Sequence, residues 1–366
     1  MKFIISLFIM LLFSISSYAE TSIPVGVYLS MTGPVAAWGT IEWQGIKVAQ
    51  KLKPEVNGKK IKLILEDAAS HPESSALSVE KLAEKGVKFV IGPVSSTNAA
   101  AALPILEKNK IINIIPSANG LNLMKNKKFA LRVCFTNDIQ AKIMVKYINS
   151  LGYKKGVIIE DISQDYSVDL TKFFQNYFKK YGTILKVYKI DGTLKDFSAL
   201  ATNIESLHPD FVYTTTYYNK IALLARSLRR YNKSIKIFSG SAASSKALIS
   251  VGGKSVEGII FTDDFDPLSP QNGIATKFIK LYKKTYGKLP DSPEALAADS
   301  YLFLLDIMEK SNFNTQKAAD MIKDISFSGI TGKIKIKNGK TYRTAILREV
   351  RNGSFVPISV FQPSEK

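Results

Sequence analysis

The chain has 366 residues, 46% of them hydrophobic and 22% charged, with 50 Lys and Arg against 31 Asp and Glu, one Cys and two His. That length predicts two domains at about 100–200 residues each, and the balance of apolar and charged residues excludes a disordered or collagen-like chain. A lone Cys134 excludes an intramolecular disulfide, a zinc finger or a cysteine-held cluster. His71 and His208, each followed by proline, leave little for histidine catalysis or a histidine metal site, so neither catalytic residues, metal nor cofactor are expected.

The first nineteen residues read as an export signal: Lys2, an apolar run over 3–13, then a small polar stretch ending at Ala19, with cleavage expected after that residue. The apolar run is well short of the roughly 20 residues that span a bilayer, although an uncleaved anchor helix is the alternative. No cysteine follows it to carry a lipid. The mature chain is therefore expected to be soluble and periplasmic. Without Lys2 it carries 49 basic against 31 acidic side chains, a net charge of +18. These lysines are scattered, as in Lys59-Lys60 and Lys283-Lys284, and not interleaved with aromatics on one face, so nucleic acid is not an expected partner.

Along the chain, residues 23–29 form an apolar, β-branched run ended by the turn signal Ser30-Met31-Thr32-Gly33-Pro34. Residues 42–52 have helical spacing and 60–65 alternate as a strand. A helix follows over 73–85, with Pro72 suited to its first turn and Gly86 to its cap. Strands over 87–91 and 111–115 bracket a helix over 97–109. After a strand at 129–133 the pattern restarts: helix to 151, strand 156–159, helix 166–181, strand 183–188, helix 197–207, strand 211–215, helix 220–231, strands 235–238 and 258–261. Three helices then follow in a row, 274–286, 294–311 and 315–325. The tail, 332–337, 342–349 and 354–361, predicts strands turned at Asn338-Gly339 and Asn352-Gly353. Strands alternating with helices of 10–15 residues predict βαβ units and parallel sheets, in two α/β units of similar size.

Motifs for catalysis or nucleotide binding are wanting. Gly252-Gly253-Lys254-Ser255 is similar to the end of a P-loop, but Leu248 stands where that loop needs its first glycine. No G-x-G-x-x-G follows the first strand, and there is no G-x-S-x-G elbow. Asp263, Asp264 and Asp266 could hold a hard cation but lack the spacing of a calcium loop, and a solvated or hinge-lining loop is the alternative.

Five segments carry a resemblance, in order along the chain: 29–39 after the first strand, Val90-Ile91-Gly92-Pro93-Val94-Ser95-Ser96, Asp196-Phe197-Ser198-Ala199-Leu200, Pro209-Asp210-Phe211-Val212-Tyr213 and Val256-Glu257-Gly258. Together they resemble the leucine/isoleucine/valine-binding protein family, receptors of branched-chain amino-acid ABC importers. The resemblance implies a type I periplasmic-binding-protein fold: two doubly wound α/β lobes joined by a three-strand hinge, with the ligand clamped in the cleft. Lobe one would be 20–135 plus 265–327, and lobe two 136–264 plus 328–366.

Residue by residue, the resemblance implies that Ser96, and with it Ser95, binds a ligand carboxylate. Hydroxyls and free amides at the start of a helix suit an anion, while a capping role for one serine is the alternative. Ser117 and Asn119 fall where the family grips the α-amino and carboxylate groups. Trp38 matches an aromatic over the ligand, and Tyr166 and Tyr217 match aromatics of the second lobe that close on it. Two positions depart from the pattern. Asn119 stands where threonine is usual, and Ser241 stands where an acid pairs with the ammonium. An unpaired buried ammonium is costly, so a zwitterion needs another anion or several acceptors, and Glu294 is a candidate for the anion unless it merely caps its helix. The family's disulfide is absent, since Asp67-Ala68-Ala69-Ser70 holds no cysteine.

The expectation is a non-enzymatic, monomeric receptor that delivers a small carboxylate-bearing ligand, foremost an aliphatic amino acid, to an inner-membrane ABC permease and its ATPase. An amine-free carboxylate or an amide is the alternative ligand, and a periplasmic sensor the alternative role.

Overall fold

The computed structural model describes residues 22–362. The expected signal, 1–19, and its cleavage site lie outside these residues. Among the described residues no helix is long and apolar enough to cross a membrane.

The first sheet is built from β1 (Ser22–Leu29), β2 (Glu55–Val56), β3 (Lys59–Asp67), β4 (Phe89–Ile91), β5 (Ile112–Ile115) and β6 (Ala130–Arg132), with α1 (Ala36–Leu52), α2 (Pro72–Glu84) and α3 (Ser96–Lys108) as crossovers. Its order is β2-β3-β1-β4-β5-β6, parallel except for the short β2. The chain then crosses to a second sheet through α4 (Asn137–Ser150), β7 (Lys155–Asp161), α5 (Asp165–Phe178), β8 (Thr183–Ile190), α6 (Ser198–Glu205), β9 (Phe211–Thr214), α7 (Tyr218–Tyr231), β10 (Lys236–Ser239), α8 (Lys246–Gly252) and β11 (Ile260–Asp263). It returns as α9 (Gly273–Tyr286), α10 (Ser292–Lys310) and α11 (Thr315–Met321). A small antiparallel sheet of β12 (Ile325–Gly329), β13 (Gly332–Lys337) and β14 (Lys340–Tyr342) follows, and then β15 (Ala345–Arg351) and β16 (Ser354–Phe361) join the second sheet. The second sheet is ordered β16-β15-β11-β10-β9-β7-β8. The chain thus crosses between the two halves of the molecule three times, after β6, β11 and β14, giving the expected two-lobed α/β fold.

Two local expectations need correction. The first helix starts at Ala36, not residue 42, because Pro34 ends the turn directly behind it. Gly39 lets that early turn lie on β1, where a Cβ would strike the Ser30 carbonyl, and Gly45 lets α1 press against the Glu294 backbone. The helix expected over 315–325 stops at Met321, and Ile325 instead opens β12, where alternate side chains are covered. The segment with P-loop-like glycines holds the short helix α8 ended by Gly253 at φ +56°. Helix α10 is buried on nearly every face, as a helix sunk in a core must be, and it packs along α1.

Candidate functional site

The residues of interest gather where parallel strands end. Trp38 follows β1, Ser95 and Ser96 follow β4, and Ser117 and Asn119 follow β5. On the opposite side Tyr166 follows β7, Tyr217 follows β9 and Ser241 follows β10. The carboxyl ends of such strands, with helix N-termini beside them, form the natural ligand crevice of open α/β sheets.

Trp38, Ser117, Asn119 and Ser241 line one cavity of about 10 Å³, a volume that holds about one water. Tyr217 does not line it but packs against its wall: the ring meets Trp38 edge-on at 6.2 Å and Tyr166 at 5.6 Å. The Asn119 amide donates to the Phe135 carbonyl at 2.7 Å, which turns its carbonyl oxygen toward the Ser241 hydroxyl 3.5 Å away. Ser241 is fixed by its backbone N–H, which donates to Gln140 Oε1 at 2.8 Å, and the Tyr166 hydroxyl accepts from the Ala242 N–H at 3.3 Å.

The serines after β4 sit behind this wall. Ser95 caps α3, accepting from the Asn98 N–H at 3.2 Å, so the capping alternative describes its present contact. Ser96 Oγ accepts from the Gly120 N–H at 3.1 Å and so braces the loop that carries Ser117 and Asn119. Glu294 does not line the cavity. It closes the capping box of α10 by accepting from the Asp291 N–H at 3.2 Å, and it accepts from the Tyr282 hydroxyl at 3.0 Å. Burial next to Asp291 pushes its carboxyl up to about 7.

Sequence reasoning missed Glu42. It lies one helical turn beyond Trp38, fully buried, and Oε1 accepts from Trp38 Nε1 at 3.0 Å and from the Ser117 hydroxyl. The i,i+4 spacing to Trp38 was the available signal, since such residues share a helix face. It also missed Ser244 and Ser292, which complete the wall with Asp263 and Asp264. Of the two readings of that acidic run, the first two aspartates are buried and ion-paired. Asp263 meets Arg348 at 3.2 Å and Asp264 meets Arg343 at 3.2 Å. Arg343, on the passage after β14, also donates to the Val133 and Asp264 carbonyls at 2.8 and 2.9 Å, tying the passages after β6, β11 and β14 together. Asp299 of α10 accepts from the Ile330 and Thr331 backbone N–H groups of the β12–β13 turn. Cys134 lies in the wall, and burial pushes its thiol up to about 12, leaving it unreactive near neutral pH.

Further hydrogen bonds cross the cleft. The Asp165 N–H donates to Thr97 Oγ1 at 2.9 Å, Asn219 Nδ2 to the Pro34 carbonyl at 3.4 Å, and Lys246 Nζ to the Leu289 carbonyl at 2.9 Å. The arrangement can clamp a small molecule between aromatic rings and hydrogen-bonding groups.

Residues 22–354 match the family described as periplasmic binding protein. A Leu/Ile/Val-binding protein of Rhizobium johnstonii is 32% identical over 257 residues, covering 68% of this chain and 69% of the relative. The crystal structure of a leucine-binding protein from Thermotoga maritima superposes with a TM-score of 0.89 at 35% identity, covering 93% of this chain and 99% of that one. A branched-chain amino-acid binding protein of Streptococcus pneumoniae, solved with isoleucine, has a TM-score of 0.88 at 25% identity, covering 94% of this chain and all of the other.

Proposed function

From the premise that this chain belongs to the periplasmic binding protein family, among the Leu/Ile/Val-binding proteins, we propose that it is the periplasmic receptor of an ABC importer and captures an aliphatic amino acid. The observation that carries this reading is the cavity where Trp38, Ser117 and Asn119 from one side face Ser241 from the other, with Tyr217 packed on Trp38. In this reading lobe one is 20–135 plus 265–327 and lobe two is 136–264 plus 328–366. The limits are supported by the chain passages after β6, β11 and β14.

The ligand meets lobe one first. The hydroxyl of Ser117 and the amide of Asn119 hold its polar end, and Ser96 keeps their loop in place. Tyr166, Tyr217 and Trp38 then cover the apolar part, aromatic rings giving large contact area at little cost in conformational entropy. A 10 Å³ cavity admits no amino acid, so capture requires the walls to separate and close again about the passages between the sheets. The chain makes and breaks no bond, acts as a monomer and hands its ligand to a permease driven by an ATPase. Export by the signal at 1–19, cleaved after Ala19, delivers it to the periplasm.

The test is a thermal-shift panel on refolded, ligand-stripped protein with leucine, isoleucine, valine, other L-amino acids and amine-free carboxylates. Ligand at 100 times its Kd adds about 2.7 kcal/mol of stability, a readable rise in Tm. A rise with leucine, isoleucine or valine supports the reading. Ser241, in place of the family's acid, favours an amine-free carboxylate as the second reading, and a rise confined to those compounds would replace the first.

A further inference from the structure

We propose that Glu42 is the anionic group that recognises the ligand's ammonium, taking over the task for which Ser241 has no charge. The inference rests on the amino-acid reading above and names the residue that would select for the amine. Glu42 has 0% of its surface exposed. Oε1 is held by two donors, Trp38 and Ser117, both of which line the cavity, while Oε2 has no hydrogen-bond partner. Buried carboxyl oxygens are costly to leave unpaired. The two carboxylates that line the cavity itself, Asp263 and Asp264, are each answered by an arginine, but Glu42 makes no ion pair among the described residues. The wall behind Trp38 and Ser117 therefore holds a buried carboxyl whose second oxygen has no partner, beside the place where an α-amino group would lie if Asn119 and Ser117 hold the ligand. An ammonium supplies both the donor and the compensating charge.

The other titratable groups facing Glu42 do not supply it. Glu294, from α10, repels it and is itself engaged by Tyr282 and, at 3.9 Å, by Lys288. Tyr217, from the second lobe, is an uncharged phenol held far above neutrality by burial. Burial raises the Glu42 carboxyl to about 8, against the hydrogen bonds from Ser117 and Trp38, and Glu294 adds to the rise. At pH 7 it accordingly carries a proton, and an arriving ammonium would displace that proton to the buffer.

Calorimetry on the stripped full-length mature protein at pH 7, in phosphate and in Tris, counts protons released on binding because the two buffers differ in ionisation enthalpy. The probes are L-leucine and 4-methylpentanoate, which is leucine without its amine. Leucine is expected to release close to one proton and 4-methylpentanoate none. Glu42→Gln is expected to weaken leucine at least tenfold, abolish the proton release and leave 4-methylpentanoate within threefold. Should that variant fail to fold, Glu42→Asp keeps the acid and is expected to bind leucine more weakly with the proton still released. Leucine binding with equal affinity in a folded Glu42→Gln would overturn the inference and leave the receptor reading standing. A wild type that binds 4-methylpentanoate but no amino acid would overturn the amino-acid reading, and the inference with it.

Discussion

The rings of Trp38 and Tyr217 meet edge to face at 6.2 Å and 86°, joining the two halves of the protein across the cleft. Trp38 belongs to the first turn of α1 and Tyr217 to the residue preceding α7, so neither contact partner is set by a neighbour in sequence. The tryptophan lines the cavity, and its Nε1–H is committed to Glu42.

Trp38→Ala is expected to weaken ligand binding at least tenfold, since it removes the ring over the ligand and an aromatic pair worth about 0.5–1.5 kcal/mol. The far-ultraviolet circular dichroism should stay that of the wild type. Titration calorimetry with leucine checks it, and an unchanged Kd would remove Trp38 from the site.

Ser96→Ala leaves the buried Gly120 N–H without its acceptor. The loop bearing Ser117 and Asn119 then loses its brace, and binding should weaken by about 1–3 kcal/mol. Affinity and Tm measured together separate the outcomes. A loss of both fits bracing, a loss of affinity alone fits direct contact with the carboxylate, and no change in either places the carboxylate elsewhere.

Asp299 lies in the core of α10 and receives two backbone N–H groups and the Thr331 hydroxyl from the β12–β13 turn. Asn at this position brings an N–H₂ that faces donors, so Asp299→Asn is expected to cost about 2–3 kcal/mol. Urea unfolding monitored by circular dichroism should show a lower midpoint with an unchanged slope.

Burial holds the Glu42 carboxyl at about 8 and the Asp264 carboxyl at about 7, above their ordinary values of 4.5 and 3.8. For Asp264 the burial outweighs the attraction of Arg343. The folded protein then binds more protons than the unfolded chain between about pH 4 and 8. Stability from these groups is fully present below the unfolded values and is lost as pH rises through the folded ones, by up to about 1.4 kcal/mol per pH unit per proton. The Tm of the stripped protein should fall between pH 5 and pH 8, and the fall should be shallower in Glu42→Gln. A Tm that climbs over this range would contradict the assignment.

Local pattern was enough to read the alternation of strands and helices from the sequence, because periods of 2 and 3.6 and the glycine and proline stops act within a few residues of each position. The run of motifs from residue 29 to 258 was enough to point to the family and to Trp38, Asn119 and Ser241 as neighbours. The start of α1 was not legible, since it turns on whether a Cβ at Gly39 would meet the Ser30 carbonyl, a contact made only when the helix folds back on β1. Nor was Ile325 as a strand: its apolar alternation is short enough to suit either element until β13 pairs with it. Glu42, Asp263 and Asp264 are acids like any others in the chain. Whether a carboxyl is paired, braced or left in want of a donor depends on which groups the tertiary structure brings within 3 Å and on how far it excludes water. Those two conditions belong to the packed molecule alone.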